Sequence, residues 1–168
     1  MNAKAVLYVE DDDNDALFMR KAFEKAAITN PLHIAHDGQE AIDFLAGNGK
    51  YVDRQRYPLP CLVLLDLNLP KRPGLEVLRW IREQPEFFTL LVVIMSASNQ
   101  DVDVHRAYSL GANAYLVKPP NALELLEMAR TIHKFWLGQN QTPPACLQFK
   151  ENNRISAERS SQGVARAY

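Results

Sequence analysis

Short apolar runs alternate with amphipathic segments five times between residues 5 and 137. Each apolar run is followed by a polar break, and this pattern predicts a buried β-strand. The five predicted strands are 5–9, 32–35, 61–65, 90–95 and 114–117. The segments after them have helical spacing and predict helices over 16–27, 39–46, 75–84, 101–110 and 122–137. Such alternation is typical of βαβ units, so we expect an α/β domain with a parallel sheet and helices on both faces.

Two stretches depart from the alternation. Residues 47–60 are rich in glycine, proline and charge, and we expect a long loop there before the third strand. From Gly138 the composition changes to Gln, Asn, Pro, Ser and Arg with few aliphatic residues, which is typical of an extended or disordered tail. We therefore divide the chain into a globular domain over 1–138 and a tail over 139–168.

Composition and charge narrow the class of protein. Apolar residues make up 47% of the 168 residues and charged residues 23%, as in an ordinary globular domain. The net charge of -1 provides no general attraction to nucleic acid or to an anionic membrane. No apolar run approaches the length of a membrane span, and the N-terminus leads directly into a strand, so we expect a cytoplasmic protein. Cys61 and Cys146 do not indicate a disulfide framework.

Acidic and polar side chains follow four of the predicted strands at the point where each strand ends. They are Glu10 and Asp11 after the first strand, Asp66 after the third, Ser96 after the fourth and Lys118 after the fifth. The carboxyl ends of parallel strands share one edge of the sheet, where open α/β sheets bind ligands, so we expect these residues to converge. Carboxylates crowded together repel one another unless a cation lies between them, and Mg²⁺ is the natural choice.

This combination of groups fits phosphoryl transfer. Negative charge on the transferred group spreads over three oxygens, which a cation, Lys118 and Ser96 would stabilise. Asp66 would be the in-line nucleophile and would form an acyl phosphate. The remaining acids of the first run, Asp12, Asp13 and Asp15, we interpret as residues that start the first helix, where the helix dipole favours negative charge.

Four motifs, in this order along the chain, resemble those of the receiver domain of bacterial two-component response regulators. They are Tyr8-Val9-Glu10-Asp11-Asp12, Leu64-Leu65-Asp66-Leu67-Asn68-Leu69-Pro70, Ile94-Met95-Ser96-Ala97 and Gly111-Ala112-Asn113-Ala114-Tyr115-Leu116-Val117-Lys118-Pro119. The resemblance covers roughly residues 3–137. It implies a CheY-like, flavodoxin-like (βα)5 fold with strand order 2-1-3-4-5. It also implies a phosphoacceptor switch that catalyses its own phosphorylation and slow dephosphorylation, and not an enzyme acting on other molecules.

The resemblance also implies a role for each residue of the predicted site. Asp66 would accept the phosphoryl group from a phosphohistidine, and Lys118, followed by a peptide bond to Pro119 that is typically cis, would pair with a phosphoryl oxygen. The metal site would consist of Asp11 and Asp66 as direct ligands, Glu10 acting mainly through water, and the backbone carbonyl of Asn68. Ser96 would be the switch hydroxyl and Tyr115 the switch aromatic. Asn68 and Ser98 would tune how readily water hydrolyses the acyl phosphate.

Within that family the chain resembles in particular the stand-alone response regulators that serve bacterial and cyanobacterial phytochrome histidine kinases. The features that point there are the loop 47–60, the stretch 69–80 and the stretch 106–113. The implied partner is a sensor histidine kinase of the phytochrome type, or a phosphotransfer protein. The resemblance also implies an output surface on the fourth helix, fifth strand and fifth helix. A homodimer could form through the same three elements, with the aromatic end of the fifth helix and the tail packed across it. Pro73 and Pro120 depart from the usual family pattern.

Three other functions compete with this interpretation. A metal-dependent phosphatase or phosphotransferase of the dehalogenase-like type also uses a strand-end aspartate, but it needs Asp-x-Asp where this chain has Asp66-Leu67-Asn68. A DNA-binding regulator would need a second domain, and the roughly thirty residues after the fifth helix are too few and too polar. A receiver-like scaffold that works without phosphorylation also fits the sequence, although every residue that the switch requires is present.

Overall fold

Five parallel strands form one sheet in the order β2-β1-β3-β4-β5, as predicted. The computed structural model describes residues 4–141. The strands are β1 (Val6–Val9), β2 (Leu32–Ala35), β3 (Leu62–Leu65), β4 (Leu91–Ser96) and β5 (Ala114–Val117). The helices are α1 (Asp13–Lys25), α2 (Gly38–Ala46), α3 (Gly74–Glu83), α4 (Asp101–Ser109) and α5 (Ala122–Ile132).

The three central strands are buried on both faces, which explains why their sequences are continuous apolar runs without alternation. Along β1, Leu7 and Val9 belong to a cluster with side chains of α2, α3 and α4. Val6 and Tyr8 belong to a second cluster with side chains of α1 and α5. The sheet therefore separates two apolar layers, and its strand ends meet at one edge.

Side-chain caps set where several helices begin. Asp12 precedes α1, and its carboxylate accepts the backbone N–H groups of Asn14 at 2.7 Å and Asp15 at 3.2 Å. This confirms the interpretation of Asp12 as a helix-start residue. The helix begins at Asp13, earlier than the prediction of 16, because the cap lies inside the acidic run.

The predicted loop 47–60 contains one short 3-10 turn, Gly49–Tyr51, and is anchored by polar contacts. The Arg54 guanidinium donates to the carbonyls of Phe44 at 2.7 Å and Leu45 at 2.6 Å. These carbonyls end α2 and lack partners within the helix. The loop therefore caps α2 from outside, a contact that its composition alone does not reveal.

The fifth helix differs from its prediction at the C-terminal end. Its α-helical part ends at Ile132, and a π-helical segment continues over His133–Gln139. The Lys4 ammonium donates to the Leu137 carbonyl at 3.5 Å, so this segment lies against the start of β1. The predicted tail 139–168 falls outside the described residues, apart from its first three. None of the helices that the structure describes combines the length and hydrophobicity of a membrane span.

Candidate acidic site at the carboxyl edge of the sheet

Backbone hydrogen bonds bring the predicted residues to the same edge of the sheet. The N–H of Asp66, just after β3, donates to the carbonyl of Val9 in β1 at 3.1 Å. The N–H of Lys118, just after β5, donates to the carbonyl of Ser96 at the end of β4 at 2.8 Å. The register of the parallel strands therefore holds the ends of β1, β3, β4 and β5 side by side, as predicted.

Three carboxylates meet at this edge. Glu10, Asp11 and Asp66 each offer one oxygen, and these oxygens lie within 4.8 Å of one another. Glu10 and Asp66 are buried, whereas Asp11 is exposed to solvent. Carboxylate oxygens at this spacing, one of them open to water, suit a small hard cation that keeps part of its hydration shell. The donor set therefore fits the predicted Mg²⁺.

The Lys118 ammonium lies among the carboxylates. Its Nζ is 2.6 Å from Glu10 Oε2, 2.6 Å from Asp66 Oδ2 and 3.0 Å from Asp15 Oδ2. Burial opposes the charge on Lys118, but the hydrogen bonds to Asp66 and Glu10 prevail, so its pKa is raised. Asp15 is thus more than a helix-start residue. The signal for this role is its position on the first turn of α1, at the edge where the strands end.

Tyr8 adds a buried hydroxyl to the cluster. It donates to Glu10 Oε2 at 2.7 Å, while Glu10 Oε1 accepts the Asp12 N–H at 3.3 Å. Burial raises the pKa of Glu10, and the hydrogen bonds from Lys118 and Tyr8 oppose that rise. Burial and the nearby Glu10 charge raise the pKa of Tyr8, so its hydroxyl stays protonated. Nothing in the strand pattern marks Tyr8 as more than a core residue. The signal is its position two residues before Glu10.

Asp66 is oriented by the backbone that follows it. Its Oδ1 accepts the N–H groups of Leu67 and, at 3.2 Å, Asn68. Its Oδ2 faces Lys118. These contacts fix both oxygens of a carboxylate that is only 4% exposed. The role of the Asn68 carbonyl as a metal ligand stays a prediction.

Ser96 and Tyr115 both contact the loop between β4 and α4. Ser96 is fully buried, and its Oγ accepts the Ser98 N–H at 3.3 Å. The Tyr115 hydroxyl donates to the Ser98 carbonyl at 2.9 Å, and its ring packs against the apolar core. Ser98 Oγ also donates to Asp103 Oδ2 of α4 at 2.6 Å. The two predicted switch residues are therefore connected through the backbone of Ser98.

The expected cis peptide bond before Pro119 is wrong for this structure. Every peptide bond between residues 4 and 141 is trans, including Lys118–Pro119. Lys118 Nζ nevertheless reaches Asp66 Oδ2 at 2.6 Å. The trans form is the more stable state of an X–Pro bond, and the contact with Asp66 does not require the cis form.

The loop after Asp66 is held closely at both ends. A Cβ added to Gly74, the first residue of α3, would lie 2.0 Å from the Asp66 carbonyl oxygen. Such a distance is impossible without a backbone shift, so only glycine fits there. On the other side, Lys71 Nζ is 2.6 Å from Oδ2 of Asp37, the residue that caps α2. The contact with Gly74 therefore restricts the position of the Asp66 peptide group, and the Lys71–Asp37 pair joins the loop after Asp66 to the start of α2.

Comparison with known proteins identifies the family and the same fold. The family model described as "Response regulator receiver domain" matches residues 6–130. Response regulator Rcp1 of Synechocystis sp. is 37% identical over 142 residues, which cover 84% of this chain and 95% of Rcp1. The Mn²⁺-bound crystal structure of Rcp1 has a TM-score of 0.75 and covers 84% of this chain and 99% of its own.

Two further solved structures have similar coverage, 84% of this chain and 99% of their own. Response regulator RPA3017, from red light signalling of R. palustris, is 36% identical with a TM-score of 0.80. The phosphorylated cyanobacterial phytochrome response regulator RcpA is 32% identical with a TM-score of 0.78. The similarity therefore extends over almost the whole length of each of these chains.

Proposed function

The chain belongs to the response regulator receiver domain family, and from that premise we propose that it is a stand-alone response regulator. Members of this family are phosphoacceptor switches. In this protein Asp66 accepts a phosphoryl group from a phosphohistidine of a sensor kinase. The functional unit is the domain over 1–138, and the protein acts in the cytoplasm.

One observation carries this proposal. Asp66 is a buried carboxylate with Lys118 Nζ 2.6 Å from one oxygen and a group of carboxylate oxygens within 4.8 Å. The oxygens of a phosphoryl group are negatively charged, so its transfer to a carboxylate is favoured when positive charge lies on both sides of the group. Lys118 supplies one side, and Glu10 and Asp11 supply ligands for a cation on the other.

Phosphoryl transfer to Asp66 exchanges one bond to phosphorus for another. A carboxylate oxygen of Asp66 forms a bond to phosphorus while the bond between phosphorus and the histidine nitrogen breaks, and the imidazole leaves with the electron pair. A Mg²⁺ ion bound by Glu10, Asp11, Asp66 and the Asn68 carbonyl would neutralise the crowded oxygens and polarise the phosphoryl group. Water later attacks phosphorus, releases inorganic phosphate and restores the Asp66 carboxylate. The protein therefore catalyses its own phosphorylation and dephosphorylation and acts on no other substrate.

Phosphorylation changes the charge that the strand ends must accommodate. The acyl phosphate carries close to two negative charges, against one for the carboxylate. Lys118 and the Ser96 hydroxyl close on the new oxygens, and Ser96 bonds the same loop residue, Ser98, as Tyr115 does. Movement of Ser96 therefore shifts the population of the loop and of Tyr115 together.

The output surface comprises α4, β5 and α5. Exposed apolar side chains there include Val102 and Tyr108 on α4, Val117 on β5 and Leu123 at the start of α5. An apolar surface next to the switch residues suits a downstream protein or a second copy of this chain. The similarity to RcpA and RPA3017 supports a phytochrome-type histidine kinase as the donor.

The experiment that tests the proposal is phosphorylation of the purified protein by acetyl phosphate with Mg²⁺, followed by intact-mass spectrometry. We expect one phosphoryl group on the parent protein and none on Asp66→Asn. Asp13→Asn removes an exposed acid of the same region and should be phosphorylated like the parent. Absence of phosphorylation on the parent would refute the proposal and favour a phosphorylation-independent scaffold.

The identity of the donor needs a second experiment. Phosphorylated histidine kinases of the phytochrome type and of unrelated types are mixed with the protein, and the initial rate of transfer to Asp66 is measured. We expect faster transfer from the phytochrome type. Equal rates from all kinases would remove that part of the proposal and leave the phosphoacceptor role intact.

A further inference from the structure

Tyr8 places a polar group inside the apolar layer between the sheet and helices α1 and α5. It is 1% exposed and belongs to the cluster that contains Met19 and Phe23 of α1. A buried hydroxyl needs a hydrogen-bond partner. Tyr8 finds one in Glu10 Oε2 at 2.7 Å, since side chains two residues apart on a strand face the same side.

Glu10 depends on Tyr8 because its other partners are weak or shared. Among the residues that the structure describes, its Oε1 accepts one bond, from the Asp12 N–H, and this bond is long at 3.3 Å. Its Oε2 is 2.6 Å from Lys118 Nζ, but the same ammonium also contacts Asp66 and Asp15. Within residues 4–141, the Tyr8 hydroxyl donates to Glu10 alone. The bond from Tyr8 is therefore short and, unlike the contact with Lys118, is not shared with another carboxylate.

The difference between Tyr8 and Lys118 as partners of Glu10 becomes important when Asp66 is phosphorylated, the proposed function on which this inference rests. A lysine ammonium has three N–H donors, and three carboxylates already surround that of Lys118. When Asp66 carries a phosphoryl group, Lys118 must turn toward the new oxygens. Tyr8 is buried in the core and its bond to Glu10 does not involve Asp66, so we expect this bond to persist when Asp66 is phosphorylated.

We propose that Tyr8 is a positioning residue for Glu10 and, through Glu10, for the divalent cation of the acidic site. Phenylalanine would fill the same space in the core but would leave Glu10 Oε2 to Lys118 alone. The hydroxyl therefore has no packing role, and its effect is on the orientation of a carboxylate that acts on the metal.

The test is Mn²⁺ binding to the full chain without any phosphoryl donor, followed by the electron paramagnetic resonance signal of free Mn²⁺. We expect Tyr8→Phe to bind Mn²⁺ about tenfold more weakly than the parent, at the lower end of the effect of losing a partner of a metal ligand. Tyr51→Phe is the matched control. Tyr51 is also buried and its hydroxyl donates to a carboxylate at 2.6 Å, but that carboxylate, Glu40, is not one of the three that meet at the acidic site. It should leave Mn²⁺ affinity unchanged within about twofold.

A double-mutant cycle separates orientation of Glu10 from packing. In the Glu10→Gln background, Tyr8→Phe should change Mn²⁺ affinity by less than about twofold, because the group that it orients is gone. A tenfold effect in both backgrounds would show that Tyr8 acts through the core and would overturn the inference. Unchanged affinity of Tyr8→Phe, or a parent that binds no Mn²⁺, would also overturn it. Phosphorylation of Asp66 by acetyl phosphate is measured separately, so failure of the proposed function is distinguishable from failure of this inference.

Discussion

Two carboxylates of this protein, Glu10 and Glu40, have the same kinds of partner, but their pKa values are shifted in opposite directions. Each accepts a tyrosine hydroxyl and a lysine ammonium at 2.6 to 2.8 Å. The partners are Tyr8 and Lys118 for Glu10, and Tyr51 and Lys50 for Glu40. Burial raises the pKa of Glu10 in spite of its partners. Burial also acts on Glu40, but hydrogen bonds from the His36 N–H, Lys50 and Tyr51 prevail and lower its pKa to about 2.

The difference lies in exposure and in how the ammonium is used. The Lys50 side chain is 64% exposed, and its carboxylate partner within the described residues is Glu40. The Lys118 side chain is 16% exposed and is divided among three carboxylates. In the part of the chain that the structure describes, Glu40 has the ammonium of the solvent-exposed Lys50 to itself, and its contacts with Lys50 and Tyr51 join α2 to the following loop. Because the buried Lys118 is shared with two other carboxylates, its single positive charge does not fully compensate the negative charge of Glu10. Proteins retain such unfavourable local arrangements at functional sites.

Replacing the lysines should give the largest contrast. Without divalent cations, Lys118→Met should lower the free energy of unfolding by about 3 kcal/mol, because it leaves buried carboxylates without a counter-charge. Lys50→Met should lower it by less than about 1 kcal/mol, since an exposed pair is screened by water. Urea unfolding in the presence of a chelator measures both values.

Mg²⁺ sharpens this contrast. The cation should restore part of the stability lost in Lys118→Met and none of that lost in Lys50→Met, because only the first vacancy lies beside the acidic site. Equal losses for the two variants, with no recovery by Mg²⁺, would contradict the view that the two networks differ in kind.

Neutralising the two glutamates should shift stability in opposite directions at pH 7 without divalent cations. Glu40→Gln should destabilise the fold by about 1–2 kcal/mol, because its charged form is favoured in the folded state. Glu10→Gln should stabilise it by up to about 1 kcal/mol, because its charge is disfavoured there. Thermal and urea unfolding give the signs, and two losses of similar size would contradict the comparison.

The pH dependence of Glu40 follows from the direction of its shift. The pKa of Glu40 falls from 4.5 to about 2 on folding, so its contribution is complete above pH 4.5 and disappears as the pH falls toward 2. The stability difference between the parent and Glu40→Gln should shrink over this window. A constant difference down to pH 2 would show that the lost stability comes from something other than charge.

Removing Asp15 should have the smallest effect. Its carboxylate is half-exposed and lies 3.0 Å from Lys118 Nζ, so it competes with a phosphoryl group for the same ammonium. Asp15→Asn should raise the phosphorylated fraction about threefold at a subsaturating concentration of acetyl phosphate, the scale of a partly screened pair. Asp15→Glu, which keeps the charge, is the control, and phosphorylated fractions are compared by mass spectrometry. A lower fraction for Asp15→Asn would mean that Asp15 holds Lys118 in place instead of competing for it.

The sequence was sufficient for residues whose position depends on the backbone. Asp66 and Lys118 each follow an apolar strand directly, and parallel register then brings them to one edge. Ser96 is the last residue of β4 and is found in the same way. The parallel sheet and the two helical layers follow from the same alternation of short apolar runs and amphipathic segments, whereas the order of the strands was implied by the resemblance to receiver domains.

Contacts that depend on the reach of a side chain could not be predicted in this way. Tyr8 is one more apolar position in a strand until its hydroxyl is located beside Glu10. Asp15 shares the first turn of α1 with Asp13, so its position alone does not separate the two, and its distance of 3.0 Å to Lys118 Nζ identifies it as part of the site. The hydrogen bonds from Arg54 to the last carbonyls of α2 likewise could not be predicted, because the loop was recognised only by its glycines and prolines.

The close contact between Gly74 and the Asp66 carbonyl has a consequence for inheritance. A single nucleotide change converts any glycine codon into an alanine codon, and the added methyl carbon would lie 2.0 Å from that oxygen. The backbone carrying the phosphoacceptor would have to move, while every motif that identifies the site stayed in the gene. A homologue with alanine at position 74 would therefore keep every motif of the site and still be unable to signal. The cause would be a residue that belongs to none of those motifs.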